Sequence, residues 1–115
     1  MANKVVWYEV LGKDGAKLRG FYGELFGWSF TNEAGKDYGT TGPEATGVPG
    51  GIGSKPTGES WALFYVSVPD IVASVAKAER LGAKVLTPVT KLPDVTIAVL
   101  ADPDGHAVGL AQMPA

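Results

Sequence analysis

The chain contains no cysteine and a single histidine, His106, among 115 residues. Without thiols it can form no disulfide, no thiolate nucleophile and no Cys-based metal site, a composition that fits a reducing compartment. With one imidazole, a Ser-His-Asp triad would have to use His106, and a metal site needing two imidazoles cannot be built within one chain. Charge is sparse and mixed: 10 Lys and Arg against 12 Asp and Glu leave a formal charge of −2, with no basic stripe. Neither nucleic acid nor a membrane surface is therefore an expected partner. No run of about eighteen apolar residues is present, and Met1-Ala2-Asn3-Lys4 leads straight into an apolar strand too short for a signal peptide. A soluble cytoplasmic protein is expected.

What the chain does have is apolar residues, 45% of its length, enough for one compact domain spanning 1–115 and too few for two. Its most distinctive run is Leu18 to Phe30. Leu18, Phe21, Tyr22 and Leu25 recur at helical spacing, Phe26 widens the stripe, and Gly27 can take the left-handed conformation that ends a helix. Before it, Val5 to Leu11 reads as a strand closed by Gly12-Lys13-Asp14-Gly15, with Asp14 as helix N-cap. After it, Trp28 to Glu33 reads as a second strand.

From Ala34 to Gly58 the composition shifts to Gly, Pro and Thr, with turns at Gly42-Pro43, Pro49-Gly50-Gly51 and Lys55-Pro56-Thr57-Gly58. Short strands are expected near Tyr38 to Thr41 and Gly51 to Gly53. Gly51-Ile52-Gly53-Ser54-Lys55-Pro56 is not a phosphate loop, because it lacks the Gly-Lys-Ser/Thr ending and Pro56 removes an amide donor. It is expected to form a flexible rim. Trp61 to Val68 is a clear strand, Pro69-Asp70 opens a helix running to about Leu81, and Gly82 ends it. A strand begins immediately after Gly82, in Ala83-Lys84-Val85, and two more follow over Val95 to Leu100 and Ala107 to Gln112. Asp102-Pro103-Asp104-Gly105 joins the last two as antiparallel neighbours, its aspartates accepting backbone hydrogen bonds and Gly105 supplying the positive φ. The order strand, helix, glycine exit and up to three strands occurs twice, over about 4–56 and 60–114. This βαβββ repeat implies an α+β fold with mixed sheets and helices on one face.

Phe21-Tyr22-Gly23-Glu24-Leu25-Phe26-Gly27-Trp28 and Asp102-Pro103-Asp104-Gly105 with Val108-Gly109-Leu110, placed in such a repeat, resemble the vicinal oxygen chelate superfamily, which includes glyoxalase I, bleomycin-resistance proteins and extradiol dioxygenases. The resemblance implies curved sheets around a cleft, helices outside, and homodimerisation. It also implies metal-ligand positions on the cleft strands: Trp7, fourteen residues before Phe21; Leu63, four before Ser67; and Gly109, four after Gly105. An indole, an isobutyl group and a hydrogen offer a divalent ion nothing, so no metal and no other cofactor is expected. A metal site built otherwise would have to draw on Glu9, Glu44 or Glu59 with His106.

Strand alternation puts Trp7, Glu9 and Leu11 on the expected cleft face. Beside Trp7 in a partly dry cleft, Glu9 would act as a general base or pair with a cationic ligand; at a wet edge it would pair with a lysine. Trp61, Leu63 and Tyr65 share the corresponding face of their strand. The small Ala107, Gly109 and Ala111 alternate with the large Val108 and Leu110, which leaves either a ligand cavity or space filled by the aromatics opposite. Trp7 and Trp61 are placed to stack on flat or cationic molecules, whereas Trp28 and Tyr22 read as core or dimer interface and His106 as surface. The expected function is metal-independent binding of a small molecule such as an antibiotic or metabolite. The alternative is a lyase or isomerase using Glu9.

Overall fold

Val5 to Tyr8, two β-branched residues and two aromatics, start strand β1 (Val5–Gly12) in a computed structural model that describes residues 2–114. Residues 7–62 form one compact unit, and 63–114 with 2–6 form another.

In the unit of residues 7–62, β1 is followed by helix α1 (Gly15–Phe26), strands β2 (Thr31–Asn32) and β3 (Tyr38–Thr41), the short helix α2 (Pro43–Thr46) and β4 (Gly50–Ser54). Asp14 caps α1 as expected, its carboxylate accepting from the Lys17 amide at 3.1 Å. Gly27 ends the helix at φ 74°, its N–H donating to Gly23 O at 2.8 Å, a single five-residue closure. β1 runs parallel to β4, β4 antiparallel to β3, and β3 antiparallel to β2. α1 lies against β3 and β4. The approach is so close at Gly15 that a Cβ there would lie 2.6 Å from Ser54 N.

Three expectations fail here. The second strand shrinks to Thr31–Asn32, because Trp28 turns back to stack on Tyr22 at 6.0 Å and to pack at a tilt on Phe26 at 5.1 Å. Gly42-Pro43 is not merely a turn: Pro43 begins α2, a position where its missing N–H costs nothing. The strand expected near Gly51 to Gly53 forms as β4, but the segment is no flexible rim: it is buried from Gly50 to Gly53, with Ile52 fully buried. The apolar stripe of α1 is also only partly covered, with Phe21 57% exposed and Leu25 and Phe26 similarly open. The helix meets the sheet instead through Gly15 and Arg19, whose guanidinium donates to Ile52 O at 3.0 Å.

The other unit contains β5 (Trp61–Ser67, from Leu63 onward), α3 (Ile71–Arg80), β6 (Lys84–Lys91), β7 (Thr96–Ala101) and β8 (Ala107–Gln112). β5 is parallel to β8, β8 antiparallel to β7, and β7 antiparallel to β6, the connectivity of the first unit repeated. Asp70 caps α3 through the Ala73 amide, and Gln112 Oε1 accepts from the Ile71 amide at 2.7 Å. The exit differs from that of α1: Leu81 holds the cap, Gly82 at φ 102° follows, and Ala83 N–H reaches back to Ala78 O while Gly82 N–H reaches Glu79 O, a Schellman closure. Val68, Ile71 and Ala98 form the core with Val75 and Leu110, so α3 covers the face of the sheet bearing Leu110. β6 carries two register shifts around Pro88, which has no amide for the ladder. The Asp102–Gly105 turn joins β7 and β8 as expected, with Asp102 accepting from the Asp104 and His106 amides and Gly105 at φ 93°. Both units are thus mixed sheets with a helix on one face, an α+β architecture. Among the described residues no helix is long and apolar enough to cross a membrane.

Candidate functional site

Alternation along β1 separates two chemistries. Tyr8 faces α1: its ring lies 5.8 Å from Trp28, and its hydroxyl starts a chain through Thr41 at 2.8 Å to Thr46 at 2.9 Å, which keeps buried Thr41 hydrogen-bonded. Trp7 and Glu9 project from the opposite face, both half-buried.

There they meet Tyr38. The Tyr38 hydroxyl donates to Glu9 Oε2 at 3.0 Å and accepts from Trp7 Nε1 at 3.2 Å. Trp7 and Glu9 come from β1 and Tyr38 from β3, strands that are not neighbours, since β4 lies between them. Tyr38 spans β4 because β4 has almost no side chains there. A Cβ on Gly51 would sit 2.1 Å from the Tyr38 hydroxyl, and one on Gly53 would sit 2.7 Å from Tyr38 Cδ1. Gly51 is also the ladder partner of Glu9. The result is a carboxylate, a phenol and an indole held in one line on a sheet face, able to offer an anion and two aromatic surfaces to a ligand. Tyr38 was not among the expected site residues. The cue that points to it is a tyrosine one hairpin away from a Gly-Gly-x-Gly strand.

Trp61 lines a groove beside α1, with Lys55 Nζ 3.5 Å from its ring centre. Leu63 is 7% exposed and Tyr65 5%, while Gly109 and Ala111 are buried and Ala107 half-buried. The space expected over the small residues of β8 is filled at Gly109: Tyr65 is its ladder partner, and a Cβ there would lie 2.2 Å from Tyr65 Cδ2. Bulky aromatic against small residue is the close-packed outcome, with no cavity at that point.

The carboxyl groups of Asp37 and Asp102 are held below their ordinary range. The Ser54 hydroxyl and then the Arg19 guanidinium, 2.8 Å away, hold the Asp37 carboxyl below the usual carboxylate range. Ser54 Oγ in turn accepts from the Gly15 amide at 2.7 Å, tying α1 to β3 and β4. The His106 amide, chiefly, lowers Asp102 in the same way. His106 itself is exposed, its Nδ1 3.1 Å from Asp102 Oδ2.

The residues at the positions where metal-using relatives carry ligands do not fit a metal ion. Trp7 spends its one polar hydrogen on Tyr38, and Leu63 and Gly109 have no donor atom. Among the described residues no group of three or more His, Asp or Glu is positioned to hold an ion, and Glu9, Glu44, Glu59 and His106 form none.

A model of the glyoxalase-like domain matches residues 9–111, nearly the whole chain. The chain belongs to the glyoxalase-like domain family. This fold recurs in a glyoxalase/bleomycin resistance protein/dioxygenase superfamily member from Vibrio splendidus, 15% identical with a TM-score of 0.66 over 96% of this chain and 99% of that one. It recurs in methylmalonyl-CoA epimerase from Mycobacterium tuberculosis, 10% identical, TM-score 0.67, over 96% and 88% of the two chains. A variant of the Streptomyces coelicolor methylmalonyl-CoA epimerase, in complex with 2-nitronate-propionyl-CoA, matches all of both chains at 13% identity and a TM-score of 0.63. No curated protein matches the sequence. At these identities the glyoxalase-like neighbours establish the fold and leave activity to the site.

Proposed function

We propose that this glyoxalase-like protein binds a small, flat, cationic organic molecule, without a metal, on the face of β1 that carries Trp7 and Glu9. The observation that supports this reading is the Trp7–Tyr38–Glu9 hydrogen-bonded line across the glycines of β4. The carboxylate supplies the charge a cation needs, and the indole and phenol rings supply faces for it to stack on. The indole N–H resonances of the three tryptophans report the event directly. Titration with planar amines is expected to shift the Trp7 resonance, assigned by its loss in Trp7→Phe, and Glu9→Gln is expected to weaken binding about tenfold. No shift of Trp7 across a broad panel of such compounds sinks the proposal.

The same line supports a second reading, an isomerase in which Glu9 takes a proton from carbon and the Tyr38 hydroxyl holds the carboxylate in place. Neighbours of the same fold carry the name epimerase, an activity that breaks and remakes a bond at a stereocentre. Solvent deuterium entering the α-position of an acyl thioester would support it, provided Glu9→Gln stops exchange and retains binding. Exchange that persists in Glu9→Gln removes Glu9 as the base.

Homodimerisation belongs to the same proposal. β6 has only β7 as a ladder partner among the described residues and exposes Val85, Leu86 and Val89, with Leu92 exposed just beyond its end. Sedimentation should give a dimer that Val89→Lys shifts toward monomer; a monomer at high concentration contradicts it.

A further inference from the structure

A concavity in the unit of residues 7–62 has different chemistry from the Glu9 site. It is an open groove of about 950 Å³ between the end of β1 and the first turns of α1. Val10, Leu11, Leu18, Phe21 and Trp61 give it an apolar floor, and Lys13 and Lys17 stand at its rim. A third cation, Lys55, rests on the Trp61 ring.

The charges of the groove do not cancel. Of its two acids, Asp37 is paired with Arg19 and bonded to the Ser54 hydroxyl, while Asp14 keeps its charge as it accepts from the Lys17 amide and offsets one of the three lysine charges. Lys13 and Lys17 have no ion pair among the described residues, and both are exposed. The indole N–H of Trp61 is buried without an acceptor. An apolar floor with more ammonium groups than carboxylates around it is complementary to an apolar body ending in acceptor oxygens that carry negative charge.

We infer that this groove is a second ligand site, which takes an aromatic carboxylate with its ring on Trp61 and Phe21 and its acid group at Lys13 and Lys17. The inference is independent of the Glu9 site, where a carboxylate would meet a like charge.

The test uses 2-naphthoate and its neutral counterpart 2-naphthylmethanol, followed by the indole N–H resonances of the intact protein. The carboxylate should shift the Trp61 resonance, assigned by Trp61→Phe, and bind about tenfold more tightly than the alcohol at low salt. The double variant Lys13→Glu/Lys17→Glu changes only exposed side chains and should erase that preference, while the Trp7 resonance stays still throughout. Equal affinity for acid and alcohol overturns the inference, as does unchanged binding in the double variant. Movement of Trp7 in place of Trp61 overturns it by putting the acid at the other site. Self-association that shifts Trp61 unaided and excludes naphthoate also overturns it, in favour of a second copy of the chain as occupant.

Discussion

The two repeats share their connectivity and place a tyrosine over a glycine on the sheet face away from the helix, yet they use that pairing differently. In the second repeat Tyr65 lies on Gly109, its own ladder partner, and is buried. In the first, Tyr38 reaches over Gly51 from β3, the neighbour of β4 opposite β1, stays half-exposed and ends in hydrogen bonds to Glu9 and Trp7. The difference comes from glycine density. β8 places Val108 and Leu110 around its single glycine, with Leu110 packed against the core, whereas β4 has Gly50, Gly51 and Gly53 around the one large residue Ile52. Removing side chains from a central strand gives up packing and gains reach: a polar group can cross that strand to a site two strands away.

If this contrast is confined to the glycines, the cores beneath should be equivalent. Ile52→Ala and Ile71→Ala, one in each unit and both buried, are each expected to cost about 2–5 kcal/mol by urea unfolding. A small loss at Ile52 alone would mean that the first repeat is held by something other than its core. Next in size, Gly109→Ala forces a methyl group against the near end of the Tyr65 ring, which has nowhere to go, and should cost about 1–3 kcal/mol. Tyr38→Phe keeps the ring and removes the hydroxyl shared by Trp7 and Glu9, so its cost should be about 0.5–1.5 kcal/mol. Its effect on ligand binding should be larger than its effect on stability.

The smallest effect is a pH dependence. Folding favours the ionised form of Asp37, because the Ser54 hydroxyl and Arg19 hold its carboxyl below the ordinary range. That contribution is complete above about pH 4, where an unfolded carboxyl is ionised, and is lost as pH falls through the lower folded value. Asp37→Asn should therefore lower the urea midpoint at pH 7 and converge with the parent protein in stronger acid. A difference that grows on acidification would reverse the assignment.

Local chemistry was legible in the sequence. Asp14, Asp70, Gly27 and the Asp102–Gly105 turn each act through groups within a few residues, and each does what its residue type suggests. The repeat and its α+β class followed from the order of such signals. Two of the three side chains of the candidate site were also visible, because alternation alone puts Trp7 and Glu9 on one face. Tyr38 was not, since it stands 29 residues from Glu9 and meets it only through the register of two ladders. The filled space at Gly109 was hidden for the same reason: composition shows a small residue but not the ring lying over it. Gly42-Pro43 misled because the same dipeptide can close a turn or open a helix, and Trp28 was lost as a strand residue to aromatic partners on α1.

Gly51→Ala tests the central claim most directly, read by urea unfolding and by the Trp7 indole resonance during titration with the tightest-binding planar amine. The added methyl group meets the far end of Tyr38, which can swing outward. The expected result is a stability loss smaller than that of Gly109→Ala, together with at least a tenfold loss of amine binding. Undiminished binding in Gly51→Ala, or a stability loss matching that of Gly109→Ala, would contradict the account and make the first repeat's glycine strand a packing device like the second's.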